Sequence, residues 1–222
     1  MIIKRLWSGL KVAKRNYLRI PQDRVGVLIG PDGQTKNLIE KSFNVDLLID
    51  SEIGNVELVI PSDHKDISVL FTVSNIIKAI GRGFNPKRAM LLTNEDFDLG
   101  IIDLEDYVGT STNAQNRVKG RIIGREGKSR LLIEELTETQ ISIYGSTVSI
   151  IGNIEALPAA KEAVAMLIRG SFHKSIWNYL YAYRRDLKKS RSEIWYDQAP
   201  RQQDRRVRST NGEDTNVLED DK

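Results

Sequence analysis

The sequence of 222 residues contains no cysteine and only two histidines. Without cysteine the chain can form no disulfide, no thiolate zinc site and no cysteine nucleophile. An extracellular fold stabilised by disulfides therefore has no support, and a cytoplasmic location is expected. Neither His64 nor His173 has a carboxylate or a second histidine at the spacing of a zinc site, so we expect no metal and no cofactor.

Long apolar runs are also missing. No stretch approaches the roughly 20 apolar residues that a membrane-spanning helix needs. Lys4, Arg5 and Gly9 interrupt the apolar residues at the start of the chain, so residues 1–13 are interpreted as a short basic lead-in rather than a signal peptide. Residues 197–222 have no apolar periodicity and run from an arginine-rich half into an acidic half, which predicts a disordered tail.

Apolar residues are nevertheless common enough to build a folded core, at 40% of the chain. The length suits two small domains or one domain of medium size. The net charge is only +3, but the basic residues are unevenly distributed, so local patches are more informative than the total. Composition therefore indicates a globular protein without identifying its partner.

The chain contains an internal repeat. Residues 26–33 read GVLIGPDG, and residues 120–127 read GRIIGREG, 94 positions later. In each copy the Gly-x-x-Gly, residues 30–33 or 124–127, is followed by an apolar pattern with helical spacing. A repeat of this size indicates that one small structural unit is present twice.

Each copy predicts the element order β-α-α-β-β-α. Alternating apolar residues on both sides of Gly54-Asn55 and of Gly145-Ser146 predict a hairpin in each copy. A strand is predicted ahead of each copy, at residues 17–20 and 100–104, and a helix after each hairpin. The expected class is α+β, with two three-stranded sheets that carry helices on one face. The predicted domains are residues 14–92 and residues 93–170.

The glycine pair between two helices has a chemical consequence. The absent side chains allow another backbone to approach closely, and the following helix begins there with free N–H groups that suit a phosphate. A single pair would be a weak signal, but here each pair follows aliphatic residues and precedes helix, strand, turn, strand and helix. The chain thus resembles the KH family, whose Gly-x-x-Gly loop clamps about four nucleotides of single-stranded nucleic acid.

The resemblance implies candidate RNA-binding residues in both loops. The second loop carries more cations, so we expect it to grip the RNA backbone, while Asp32 puts the contribution of the first loop in doubt. The alternative is that Asp32 only shapes a turn. The candidates are Gly120, Arg121, Gly124, Arg125, Glu126, Gly127, Lys128 and Arg130 in the second copy, and Gly26, Gly30, Pro31, Asp32 and Gly33 in the first.

Two flanking stretches narrow the resemblance. A glycine-rich connection follows the closing helix of the first copy, and residues 171–196 predict a basic amphipathic helix after the second. Residues 14–195 resemble the tandem-KH assembly factors of the small ribosomal subunit, the family of the eukaryotic partner of Nob one. Two intact loops point to its archaeal branch. The resemblance implies binding near the 3′ end of small-subunit rRNA as a monomer, with the Nob endonuclease and the alpha subunit of translation initiation factor two as partners.

Two other classes of function are alternatives to rRNA binding. Clustered carboxylates between residues 96 and 106 could hold magnesium in a nuclease, but such a cluster is more often a solvated loop with helix caps. The protein is therefore not expected to be an enzyme. A KH adaptor of the RNA-degrading exosome or of translation initiation is the alternative, although the exosome adaptors usually carry an additional barrel. Tyr144 and the aromatic residues of the C-terminal helix could stack on bases or pack against the domains.

Overall fold

The computed structural model describes residues 14–61 and 66–198, with side chains as far as residue 190. The expected basic lead-in, and the expected tail from residue 199 onward, lie outside the described residues. Within them the chain is a mixed α/β protein with two three-stranded antiparallel sheets, which confirms the predicted mixture of helices and sheets. No helix of the described part is both long and apolar enough to cross a bilayer.

The first repeat builds one sheet with its helices. Its strands lie in the order β1-β3-β2, and β3 pairs antiparallel with both neighbours. Residues 47, 56 and 58 point towards the helices and are buried, as their alternation predicts. The elements are β1 (Lys14–Arg19), α1 (Gln22–Ile29), α2 (Gln34–Phe43), β2 (Asp46–Ile49), β3 (Asn55–Ile60) and α3 (Ser68–Gly81).

The second repeat has the same sheet order, β4-β6-β5, after a short connection. That connection is α4 (Pro86–Ala89) followed by a 3-10 turn (Met90–Thr93), and Asn85 caps α4 by accepting the Arg88 N–H. An additional short helix, α5, follows the first strand. The elements are β4 (Phe97–Asp103), α5 (Glu105–Val108), α6 (Thr112–Ile123), α7 (Lys128–Thr137), β5 (Gln140–Tyr144), β6 (Thr147–Asn153) and α8 (Leu157–Ile168).

The last helix, α9 (His173–Gln198), begins two residues after the predicted start and two residues of it fall in the predicted tail. Ile176 and Leu180 are fully buried in the core of the second repeat, as the amphipathic pattern requires. The chain up to Arg184 forms one compact unit, and the rest of α9 belongs to another. Both repeats lie in the first unit, so a domain boundary after residue 92 stays a prediction.

In both repeats a glutamate side chain fixes the position of the strand that follows its helix. Glu40 Oε1 accepts the N–H of Leu47 at 2.8 Å, and Glu134 Oε1 accepts the N–H of Ile141 at 2.7 Å. In both copies a glutamate near the end of the second helix thus holds the following strand. Equivalent residues of the two repeats are 94 positions apart up to β2 and β5. They are 92 apart in β3 and β6, because the hairpin turn of the first repeat is two residues longer.

The central strand of the second sheet, β6, is buried on both faces. Val148 and Ile150 on β6 enter the core of their own repeat, whereas Ile151 points the other way, into the core of the first repeat. Ser142 Oγ adds a hydrogen bond of 2.9 Å to the carbonyl oxygen of Arg82, just beyond α3. The first repeat therefore covers the part of the outer face around Ile151 and Ser142, while Ile101 on β4 remains exposed.

Candidate nucleic-acid interface

The second glycine turn joins α6 to α7 through backbone conformations that favour glycine. Gly124 has φ +71° and donates its N–H to the carbonyl oxygen of Gly120 at 2.9 Å. Arg125–Gly127 forms one 3-10 turn, and Gly127 has φ +78° before α7 starts at Lys128. A residue with a Cβ is strained at both glycines. The turn thus fixes where the N-terminus of α7 points.

Two of the glycines are required by close packing as well as by φ. A Cβ on Gly124 would lie against the Ser129 hydroxyl and 2.9 Å from its backbone nitrogen. Gly30 stands in the same relation to Thr35. A Cβ on Gly120, by contrast, would meet nothing within 4 Å. The missing side chain of Gly120 leaves open space at the surface, where a ligand backbone can approach.

The acidic residue is a shared part of both turns. Asp32 has φ +50° and Glu126 has φ +55°, so each occupies the left-handed region at the same place in its turn. Aspartate tolerates this region better than glutamate does. Both loops therefore present a carboxylate, and Asp32 alone does not distinguish them. Glu126 forms an ion pair of 3.2 Å with Lys128, and both side chains are largely exposed.

A cationic groove of about 610 Å³ opens beside the second turn. Of the described residues that line it, four are cationic and none is acidic. The volume lies within the range of ligand-binding clefts, and fixed positive charge beside a glycine turn favours a phosphate. The lining residues are Arg117, Gly120, Arg121, Gly124, Arg125, Lys128, Ser129, Leu132, His173 and Trp177.

The first turn lacks these cations. The positions 94 residues before the four cations hold Asp23, Val27, Pro31 and Gln34. Arg24, which is close by, donates to the carbonyl oxygens of Ile80 at 2.9 Å and Phe84 at 2.6 Å, so it serves the fold. The difference in charge between the two loops thus comes from four equivalent positions that are cationic only in the second repeat, and not from Asp32 alone.

The groove brings together most of the predicted residues of the second copy. Glu126, Gly127 and Arg130 are not among its lining residues, and the Arg130 Nε lies 3.8 Å from the Glu134 carboxylate. Arg117 was missed, although it precedes Arg121 by one helical turn and could have been found from that spacing. His173 and Trp177 come from α9, and no sequence pattern shows where that helix docks.

Two of the carboxylates considered for a nuclease accept neighbouring backbone N–H groups, Asp103 at the start of α5 and Asp98 within β4. Asp103 accepts the Glu105 N–H at 3.0 Å, and Asp98 accepts the Leu99 N–H at 2.7 Å. Among the residues that the structure describes, no group of three or more histidine, aspartate or glutamate side chains could hold a metal ion. Asp103 thus has a structural role at the start of α5.

A helix, a Gly-x-x-Gly turn and a second helix on a three-stranded antiparallel sheet define a nucleic-acid-binding domain of the KH class. Residues 98–185 match a family model described as a eukaryotic-type KH domain of type I, from the second domain of PNO1. A KH domain-containing protein of Methanocaldococcus jannaschii is 46% identical over 178 residues, covering 80% of this chain and 78% of the relative.

Further relatives define the family. The pre-rRNA-processing protein PNO1 of Candida albicans is 32% identical over 169 residues, covering 72% of this chain and 61% of the relative. A crystal structure from Pyrococcus horikoshii, a complex of a/eIF2alpha, aDim2p and rRNA, contains a chain that is 44% identical to this one, with a TM-score of 0.74 over 78% of this chain and 96% of that one. The chain belongs to the PNO1/Dim2 family of KH-domain proteins, as the sequence resemblance predicted.

Proposed function

We propose that this protein binds single-stranded rRNA during biogenesis of the small ribosomal subunit, near the 3′ end of that rRNA. The observation that carries the proposal is the groove beside residues 124–127, with four cations and no carboxylate among its described lining residues. Such a surface attracts the phosphates of an RNA whatever its base sequence, and an unpaired strand can follow the turn. Relatives that process pre-rRNA or crystallise with rRNA support it.

The two repeats have different roles in this proposal. In the proposal each repeat is a KH domain, and α9 follows the second one; the element order and turn geometry that the repeats share support this tandem arrangement. The second repeat grips the RNA backbone through its cations. The first repeat contributes less to RNA affinity and supports the second, because Ile151 and Ser142 of the second sheet pack on it. The protein acts as a cytoplasmic binding module and has no catalytic role.

Protein partners form the second part of the proposal. A relative has been crystallised with a/eIF2alpha and rRNA together, which favours the alpha subunit of the initiation factor as a partner of this chain also. The Nob endonuclease is the other proposed partner. A pull-down of either purified protein with this chain, with and without RNA, tests both, and failure to recover either one removes it from the proposal.

Binding to RNA is tested by titrating the monomeric protein against a single-stranded fragment from the 3′ end of small-subunit rRNA and against the same fragment in a duplex. The single strand should bind more tightly. Its affinity should fall as salt rises, with a slope that reflects the roughly four phosphates beside the cations. Equal affinity for strand and duplex, or an affinity that salt does not change, contradicts the proposal.

A further inference from the structure

One wall of the cationic groove is supplied by α9 rather than by the elements of the repeat. His173 and Trp177 of this helix line the groove together with residues of α6 and α7. They are four residues apart on one helix face, and their ring centroids lie 5.5 Å apart with 38° between the planes. Two adjoining aromatic rings thus face the same space as the guanidinium groups.

The aromatic wall is held in place from two sides. Ile176 and Leu180 anchor α9 in the core of the second repeat, where neither side chain is exposed. The indole of Trp177 packs partly on the same core while it also lines the groove. At the start of the helix, Arg121 Nη2 donates to the carbonyl oxygen of Ser171 at 2.7 Å. This hydrogen bond ties the wall to the helix that carries the glycine turn.

An exposed phenylalanine adjoins this wall. Phe172 precedes His173 and is 83% exposed, although its carbonyl oxygen accepts the Ser175 N–H at 3.0 Å and so belongs to an ordered helix start. The first aromatic residue after the closing helix of the first repeat is Phe84, which is 2% exposed. The same stretch thus carries a core residue in one repeat and a surface aromatic in the other.

We propose that α9 provides a base-stacking site, in which Trp177 with His173 stacks one base of a single-stranded RNA whose neighbouring phosphate lies on the turn at residues 124–127. The inference rests on the proposed function and extends it. Flat aromatic faces beside backbone-binding cations are the combination that single-stranded nucleic acids require. An acidic peptide would use the cations but would gain little from the rings. The site belongs to the second repeat, because α9 follows only that one.

Fluorescence of Trp177 gives a direct test. The chain has three tryptophans, Trp7, Trp177 and Trp195, so the variant W7F/W195F reports on Trp177 alone. The probe is a single-stranded ribo-oligonucleotide of about ten nucleotides, longer than the roughly four that one KH groove holds. Stacking should quench the Trp177 emission at saturation. Unchanged emission under saturating RNA, with binding confirmed by anisotropy, overturns the inference.

Abasic scanning locates the base. Removal of one base while its phosphate is kept should weaken binding to the wild-type protein by roughly tenfold at a single position. The same abasic RNA should bind Trp177→Leu no more weakly than the intact RNA does. Trp177→Phe keeps a ring and should lose less affinity than Trp177→Leu. Equal losses for the abasic RNA with wild type and with Trp177→Leu contradict stacking at this residue.

A second variant separates this inference from the proposed function. Arg125→Asp removes a groove cation but leaves the wall intact, so it should weaken every RNA in the scan by a similar factor. If Arg125→Asp loses affinity while Trp177→Leu, melting as wild type does, binds all RNAs normally, the stacking site is wrong and the RNA-binding function stands. If neither variant changes the affinity, both are wrong.

Discussion

The Tyr144 hydroxyl of the second repeat donates a hydrogen bond to the Asp23 carboxylate of the first. The Arg24 guanidinium lies over the same ring, 5.7 Å from its centroid. Arg24 in turn holds the end of α3 through the carbonyl oxygen of Ile80. Tyr144 thus belongs to the contact between the repeats, which favours the packing alternative for this residue over base stacking.

The contact between the repeats should depend on pH through Tyr144. Burial, and then the hydrogen bond and negative charge of Asp23, raise the pKa of Tyr144 above 10.0. The unfolded tyrosine therefore ionises first as pH rises, and the stabilisation that is complete below about pH 10 is lost as pH climbs towards the folded pKa. Tyr144→Phe should show a smaller fall in the free energy of unfolding above about pH 9.5.

Denaturant unfolding at a series of pH values measures this difference. Tyr181→Phe serves as the control, since Tyr181 is an exposed tyrosine of α9. The control should follow the pH dependence of the wild type. If Tyr144→Phe also followed the pH dependence of the wild type, the hydrogen bond to Asp23 would contribute nothing to the free energy of unfolding.

Alanine at Gly124 should destabilise the fold more than alanine at Gly127. Both positions have positive φ, which costs about 1–2 kcal/mol for a residue with a Cβ. At Gly127 a Cβ meets nothing within 4 Å, but at Gly124 it collides with Ser129. We expect a loss in the free energy of unfolding of about 1 kcal/mol for Gly127→Ala and above about 2 kcal/mol for Gly124→Ala. Equal losses would show that α7 shifts to accommodate the methyl group.

Glu134→Ala should cost about 1–2 kcal/mol of stability, because the N–H of the buried Ile141 loses its acceptor. Glu135, the next residue, is exposed, so Glu135→Ala is the matched control and should change the free energy of unfolding by less than about 0.5 kcal/mol. Thermal melts of both variants check the difference. Similar melting temperatures would mean that water replaces the glutamate.

Purified protein with magnesium or manganese should leave rRNA uncut. Asp103 caps α5 through the Glu105 N–H, and no metal-holding group occurs in the described ranges. Gel analysis of rRNA after long incubation is the measurement. Cleavage that disappears in a folded Asp103→Ala or Asp106→Ala variant would falsify the assignment as a binding module.

The sequence predicted the parts of the fold that are local. The 94-residue repeat, the helices beside each glycine pair and the turn at Gly145-Ser146 follow from periodicity and turn chemistry, which act over a few residues. The burial of Ile151 in the first repeat could not be predicted from periodicity. The pattern shows that β6 is apolar on both faces but does not show what covers the outer one. The docking of α9 beside the glycine turn depends equally on long-range packing.

The candidate site was predicted in part for the same reason. Arg121, Arg125 and Lys128 adjoin the glycines in sequence, so the motif identified them. Trp177 lies about 50 residues further on and reaches the groove only through the core contacts of α9. The left-handed conformation that Asp32 and Glu126 share could not be predicted, because the geometry of the whole turn sets it.

The central claim, that the second loop is the main grip on RNA, is tested most directly by one pair of variants. Arg125→Asp reverses a charge at the groove, whereas Pro31→Asp adds a carboxylate at the matching position of the first loop. Circular dichroism and melting should show both variants folded. Affinity for single-stranded rRNA should fall by more than ~1 kcal/mol for Arg125→Asp, since a charge-assisted contact is lost and repulsion is added, and by clearly less for Pro31→Asp. A larger loss for Pro31→Asp would make the first loop the main grip and contradict the account.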